Sequence, residues 1–336
     1  MSTTWFEQLF GFRELPYAET QSRFELEGTT LRSTVNDRSF EAGHFSTPSL
    51  AWLRERTRGL RPGRLKVRHE VIDDVLELHA MAENSGAMFQ AASQFNCLEF
   101  AGADEVPEDG VTQYDDDPTQ GPACALAAAA GTVVRNYFVE VGGARGQTRN
   151  RQLNNLSDLQ AAVGEAGTFV EVRNGYTFSD AARLRRLNAA LSRQDRDALL
   201  GTLRIGLHSR VGVTFARRFV EPTGAQYVSQ AYCSALSCGY TGGGLELWAP
   251  LATLVLDAAY EATLHAAVLD AAEGHGSGKV WLTFLGGGAF GNDKRWIADA
   301  ISRGLERFRD RDLDVRLAHH RHLDPAVVAA VDATRE

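Results

Sequence analysis

The stretch Val280–Asn292, VWLTFLGGGAFGN, limits what the chain can fold into more than any other segment. An apolar run of strand length ends in three successive glycines, a fourth follows at Gly291, and a helix pattern begins directly after. Glycine reaches positive φ without strain and puts no Cβ between the backbone and whatever approaches it. The loop is not a G-x-x-x-x-G-K-[ST] nucleotide loop, because Lys294 falls in the wrong place, and it comes too late in the chain for a G-x-G-x-x-G opening. The amides of residues 286–291 are instead candidates to converge on an anion, with the helix start at Asn292–Trp296 adding its dipole. The other reading of the glycines is a tight strand-to-helix turn with no ligand.

The rest of the chain repeats the strand–helix alternation. Leu65–Ile72, Ala87–Phe100, Tyr227–Leu236, Val280–Leu285 and Leu313–Ala318 have strand patterns. Between them lie an Ala-rich helix at Gly121–Phe138, a long helix at Pro250–Ala272 and a helix at Trp296–Phe308. Strands separated by helices imply an α/β sheet with helices on both faces. Residues 1–63, with Pro16, Pro48 and Pro62, read as an N-terminal extension packed on a core of residues 64–325. In that extension Ser49–Arg58 suits a short helix capped by Thr47 or Ser49. Gly142–Arg218 reads as an insertion with a strand at Phe169–Arg173, a basic helix at Ser179–Arg193 and a strand at Val211–Phe215.

Charge and cysteine usage narrow the function classes. A formal net charge of −8 argues against non-specific nucleic-acid binding, which needs Lys and Arg on phosphates. Backbone amides can still hold one small phosphorylated ligand. The four cysteines form no C-x-x-C, and Cys97 and Cys124 have apolar neighbours, so buried free thiols are expected. His319, His320 and His322 read as a solvated strand end rather than a metal site. Met1–Phe12 lacks the basic start and apolar run of a signal peptide, and no apolar stretch is long enough to span a bilayer. The expectation is a soluble protein in a reduced, cytoplasmic setting.

LGGGAFGN, placed between a late strand and the penultimate helix, resembles the second phosphate loop of the macrodomains, a family that binds ADP-ribose. Val228–Leu236 is similar to the strand before it, and Leu254–Ala267 to the helix between. His69–Phe100 is similar to the family's opening. Asp73-Asp74-Val75 stands where the family has a Gly-Asp-Ile whose Asp contacts adenine, and MFQAASQFN, Met88–Asn96, stands where it has a strand ending in Asn-Ala-Ala-Asn. Gln90 and Ser93 replace the two asparagines, and Asp115–Ala123, DDDPTQGPA, replaces the glycines of the first loop. These departures resemble a divergent branch that includes bacterial effectors, so delivery to a host cytosol is a second implied location. The resemblance implies a mixed sheet sandwiched between helices and removal of ADP-ribose from modified protein, with arginine as one implied linkage. It implies ADP-ribose as ligand and product and no metal or other cofactor. The implied ligand-binding set is Asp74, Gln90, Ser93, Gln94, Asn96, Thr119, Gln120 and Gly121 with Gly286, Gly287, Gly288, Ala289, Phe290, Gly291 and Asn292. Phe290 would pack on the distal ribose, and Gln94, Asn96 and Gln120 would bond ribose hydroxyls or fix a water.

Chemistry would come from the acids. Asp115, Asp116 and Asp117 precede Pro118 and a helix start, where capping accounts for at least one of them. Three carboxylates repel a diphosphate, so the phosphates should lie on Gly287–Gly291 and the carboxylates face the distal ribose. Glycosidic cleavage passes through an oxocarbenium-like state that a carboxylate stabilises while activating water, and Asp117 is the candidate. Crowding of like charges should raise the pKa of at least one of these three aspartates. Glu99, beyond the Gln90–Asn96 strand, is a second candidate, with a plain strand-end charge as its alternative. Asp257, Glu261 and His265 share one helix face, which reads first as a solvated stripe, and Glu261 is the third catalytic candidate. A non-catalytic reader of ADP-ribose or NAD derivatives, and a hydrolase of free nucleotide sugars or cyclic ADP-ribose derivatives, remain open alternatives.

Overall fold

The structure is a computed structural model that describes residues 3–214, 226–242 and 244–332. Among these residues the central sheet has seven strands: β1 His44–Ser46, β2 Lys66–Ile72, β3 Met88–Ser93, β4 Gly206–Gly212, β5 Tyr227–Ser234, β6 Lys279–Leu282 and β7 Asp314–His320. Their order across the sheet is β1-β4-β5-β3-β6-β7-β2. The run from β5 to β2 is parallel, whereas β4 is antiparallel to both β5 and β1. This is the α/β sheet with helices on both faces that the strand–helix alternation implied, and it is mixed, as the resemblance implied.

Helices cover both faces. They are α1 Leu50–Thr57, α2 Val75–Ala80, α3 Gln120–Ala127, α4 Ala129–Tyr137, α5 Ala181–Leu191, α6 Arg196–Thr202, α7 Leu245–Ala272, α8 Lys294–Arg307 and α9 Pro325–Asp332. The strands divide their side chains with the period of two that pleating dictates. Met88, Ala231, Cys233, Val280 and Leu282 pack toward α7, with α1, α5, α6 and α8 around it. Phe89, Ala91, Val228, Tyr232 and Trp281 face the other way, toward Cys124 and Ala128 of the Ala-rich run. No helix among the described residues is long and apolar enough to cross a membrane.

Several boundaries differ from the sequence expectation, each for a local reason. The segment read as an extension supplies edge strand β1 and helix α1, and the segment read as an insertion supplies β4. β1 is too short to show alternation. β4 carries His208, Ser209 and Arg210 and slips register between His208 and Val211, with Arg210 at φ 53, so its pattern is broken by a bulge. It ends at Gly212 rather than spanning Val211–Phe215, and Phe215 and Arg218 lie outside the described residues. The Ala-rich run is two helices. Thr214 enters the break at Ala128, its N–H donating to Ala127 O at 3.0 Å and its Oγ1 accepting from Ala129 N at 3.1 Å. Alanine content favours helix but does not keep one straight when an outside group enters the hydrogen-bond ladder.

Two polar clusters are also placed differently. The polar segments Asn36–Arg38 and Phe45–Pro48, which as sequence could equally be surface loops, are structural. Asn36 Nδ2 donates to Leu9 O at 3.0 Å within the extension, and Phe45 in β1 pairs with β4 and so fastens the extension to the body. His319 is buried, not solvated, and its Nε2 lies 2.9 Å from Nδ1 of His69.

Candidate active site

The site is built where β3 and β6 part. Their parallel register holds only from Val280 opposite Met88 to Trp281 opposite Phe89. Beyond it the edge of β3 needs new partners, because buried backbone groups do not go unpaired. The side chain of Gln120 supplies them: Oε1 accepts from Ala92 N at 2.7 Å and Nε2 donates to Gln90 O at 2.8 Å. Gln120 therefore clips the first turn of α3 to the strand, and its amide is spent there rather than on a ribose. The two strands diverge beyond this register, and the space past diverging strand ends is the crevice position where ligands bind in open α/β sheets.

After Ser93 the chain turns through Gln94–Phe100 in a tightly fixed loop. Cys97 takes the left-handed conformation at φ 61, which costs a non-glycine residue about 1 kcal/mol and so must be imposed from outside. Arg135 Nε donates to Cys97 O at 3.1 Å, and Gln147 Nε2 donates to Asn96 O at 3.0 Å. Asn96 Nδ2 donates to Gln152 Oε1 and Asn174 Oδ1, both at 3.1 Å, while its Oδ1 accepts from Leu98 N at 3.1 Å. Phe95 N donates to Gly175 O at 3.1 Å. Asn96 is thus a clamp between this loop and residues 147–174, with its polar atoms used inside the fold.

Glu99 is the outcome of that construction. It is 2% exposed, and its Oε1 has no hydrogen-bond partner. A Cβ added to Gly121 would stand 2.3 Å from Glu99 Oε2 and 2.0 Å from Ala92 O, so the carboxyl sits against the first turn of α3 at a place only glycine allows. Burial raises its pKa to about 8; a hydrogen bond from Ser93 and the charge of Arg135 oppose that, and the charge of Asp117 adds to it. Near neutral pH the carboxyl is therefore mostly protonated. The expected raised carboxyl was one of the three aspartates; the raised group at this corner is Glu99, and desolvation, more than neighbouring acids, produces the shift.

Asp117 stands beside this group, half-buried, with Oδ1 accepting from Thr119 N at 2.9 Å at the entry to α3. Asp115 and Asp116 are exposed. Ser93 and Gln94 line the same corner. Gln94 Nε2 donates to Phe100 O at 3.1 Å, and its Oε1 is a buried acceptor without a partner.

The glycine loop forms the opposite wall. Gly286 and Gly291 have φ of 73 and 69, and a Cβ on Gly286 would meet Ala235 Cβ and Asn292 Nδ2 at 2.5 Å. Gly287 N donates to Phe284 O at 3.2 Å, Gly291 N to Gly288 O at 3.0 Å and Asn292 N to Gly286 O at 2.9 Å. Among the described residues, the amides of Gly288, Ala289 and Phe290 make no hydrogen bond, and a Cβ on Gly288 would meet nothing within 4 Å. Among the same residues the Gly286 N–H has no acceptor within the fold either, so four donors of the loop are uncommitted, and the amides of Gly287 and Gly291 shape the turn. Asn292 is a clamp, with Nδ2 on Leu236 O at 2.7 Å. The start of α8 is already occupied by Asp293, which accepts from Arg295 N at 2.8 Å, so the dipole expected at Asn292–Trp296 is met by a side chain of the chain itself.

A residue outside the expected site set, Tyr176, joins the two walls. Tyr176 donates its hydroxyl to Phe100 O at 2.7 Å, while its ring centroid lies 5.3 Å from Phe290 and 5.4 Å from Tyr240. Its hairpin is locked to the loop after β5 by Thr177 N on Ser237 Oγ at 2.8 Å and Ser237 N on Thr177 Oγ1 at 2.9 Å. Arg135 was missed as well, although a lone arginine inside an alanine-rich apolar run was a visible signal.

Other predicted members lie apart from the crevice or are buried beneath it. Gln90 donates to Thr263 Oγ1 at 2.9 Å and accepts from Thr283 N at 3.3 Å, joining β3 to α7 and β6. Asp74 caps α2, accepting from Leu76 N at 2.9 Å, and α2 packs on α3 at the rim. Glu261 is not brought to the site. It is buried on the outer side of α7 in ion pairs with Arg54 at 2.7 Å and Arg307 at 3.1 Å, beside a groove of about 890 Å³. Asp257, in the same row, pairs with Arg196 and Arg303, so the stripe read as solvated is a seam of ion pairs. Among the described residues no group of three or more His, Cys, Asp or Glu is placed to hold a metal ion.

No family model matches the chain, and no curated protein does. Solved structures similar to it include poly(ADP-ribose) glycohydrolase from Deinococcus radiodurans in complex with ADP-ribose, 13% identical over 87% of this chain and 94% of that one, with a TM-score of 0.45. The poly(ADP-ribose) glycohydrolase from Thermomonospora curvata bound to the inhibitor ADP-HPD is 14% identical over 93% and 94% of the two chains, with a TM-score of 0.43. At these scores the likeness is loose, and the chemistry has to come from the chain's own side chains.

Proposed function

We propose that the chain hydrolyses the glycosidic bond joining ADP-ribose to a modified protein. The observation that carries this is Glu99: a buried carboxyl with one unpartnered oxygen, protonated near neutral pH, at the end of a central strand and across from an open glycine loop. The amides of Gly288, Ala289 and Phe290 take the diphosphate, and Tyr176, Tyr240 and Phe290 wall the distal ribose. Glu99 gives its proton to the atom leaving C1″, which departs with the bonding electron pair. The oxocarbenium-like centre is stabilised by the Asp117 carboxylate, which takes a proton from the water that adds to C1″. Both groups are side chains of this chain, so the proposed reaction calls for no metal. Arginine, implied by the family resemblance, is one linkage to offer as substrate, and O-glycosidic linkages to hydroxyl side chains and ester linkages to carboxylates are the others.

The test begins with calorimetric titration of ADP-ribose, followed by release assays on protein modified through each linkage. Binding with release that fails in Glu99→Gln supports the proposal. Binding by the wild type with no release from any linkage would leave a reader of ADP-ribose, and absence of binding would remove the ligand altogether.

A further inference from the structure

Arg135 is fully buried on α4, and among the described residues no carboxylate is in salt-bridge contact with it. Its guanidinium is held by Cys97 O at 3.1 Å, Thr132 Oγ1 at 3.0 Å and His208 Nδ1 at 3.2 Å, and stacks 3.7 Å from the Tyr232 ring centroid. Arginine keeps its charge in any folded protein, and a buried charge without compensation is costly. His208 does not compensate. Its Nε2–H donates to Ala42 O, its Nδ1 faces Arg135 as an acceptor, and burial keeps it neutral. The remaining partners are neutral carbonyl, hydroxyl and aromatic groups.

We propose that Arg135 is a positioning residue for the chemistry at Glu99: it imposes the left-handed turn at Cys97 and stands as the buried counter-charge of the Glu99 carboxylate. The inference rests on the functional reading above for its meaning, not for its measurement. Groups facing the pair come from every neighbouring element: Ser93 and Cys97 on the loop itself, Tyr114 and Asp117 before α3, Cys124 on α3, His208 on β4, Tyr232 on β5 and Tyr176 from the docked hairpin. Arg135 is the one permanent cation among them. Removing it makes ionisation of Glu99 harder, and replacing it with lysine keeps the charge while losing the planar fork that grips Cys97 O and Thr132 together.

The experiment follows melting temperature from about pH 5 to about pH 10 in three backgrounds, wild type, Arg135→Gln and Arg135→Lys, each with and without Glu99→Gln. The difference within each pair traces the ionisation of Glu99 with no substrate present. Arg135→Gln should move that limb upward by about one pH unit, and Arg135→Lys should leave it in place while slowing ADP-ribose release. A limb unmoved in Arg135→Gln, or moved as far by Arg135→Lys, overturns the proposal. Should Arg135→Gln fail to fold, the lysine variant decides by the same criterion. A wild type that releases nothing sinks the functional reading and leaves the limb to be measured, so the two fail separately.

Discussion

Glu99 and Glu261 are both acidic side chains withdrawn from water, at 2% and 5% exposure, in opposite surroundings. Glu261 has three basic neighbours: Arg54, Arg307 and His265 Nε2 at 3.4 Å. Burial would raise its pKa, but hydrogen bonds from His265 and Arg54 and the charges of Arg54 and Arg307 outweigh it and hold the carboxyl down at about 2. Glu99 has a serine hydroxyl, the single charge of Arg135 and a neighbouring aspartate, and burial pushes it up to about 8. One carboxyl is committed to holding α1 and α8 onto α7. The other has a proton to give and an oxygen with no partner. Burial alone does not distinguish a structural acid from a reactive one; the pairing around it does.

Four substitutions sharpen that contrast. The largest effect is expected from Glu99→Gln, which should slow ADP-ribose release about 10³-fold, the usual weight of a general acid, while ADP-ribose affinity measured by calorimetry holds. Its stability should move the other way. A folded pKa raised from 4.5 to about 8 means that Glu99 costs stability progressively as pH climbs between those values, so the variant should melt higher than wild type at alkaline pH. Glu261→Gln should leave release per folded molecule unchanged and cost about 3 kcal/mol in urea titrations at neutral pH. Here the folded pKa is depressed, so the wild-type advantage is present above about pH 4.5 and fades as pH falls toward 2. Loss of release in Glu261→Gln with stability intact would reverse the two roles.

Smaller effects test the walls. Gly121→Ala drives a Cβ into Ala92 O and the Glu99 carboxyl, and should cost about 2 kcal/mol by chemical denaturation. Gly288→Glu has open space for its Cβ, so the fold should survive while ADP-ribose affinity falls about tenfold or more through repulsion of the diphosphate. Unchanged affinity in that variant reduces the glycine loop to a turn.

How far the sequence foretold this is clearest at particular residues. The layered sheet was legible because β3, β5 and β6 are largely apolar runs of strand length and β7 alternates apolar with polar, with helix patterns between them. The need for Gly286 and Gly291 was legible too, since consecutive glycines after a buried strand announce an unusual backbone. The edge strands were not, because β1 has three residues and β4 is bulged at Arg210. Side-chain roles were harder still. Asn96, Gln90 and Gln120 have the donors and acceptors to bind a ligand, and only their partners, far along the chain, reveal that they bind the fold. Glu261 looked like one acid on a helix stripe until Arg54 and Arg307 arrived from 207 and 46 residues away. Tyr176 reaches the site through a hairpin whose docking on Ser237 leaves no local trace.

The most direct measurement is the pH dependence of single-turnover ADP-ribose release from modified protein, for wild type beside Glu99→Gln. A proton donor with a pKa of about 8 predicts a wild-type rate that holds through neutrality and falls tenfold per pH unit above that value, with Glu99→Gln slow and flat throughout. A wild-type rate that keeps rising past pH 8, or a Glu99→Gln rate matching it, would contradict the account.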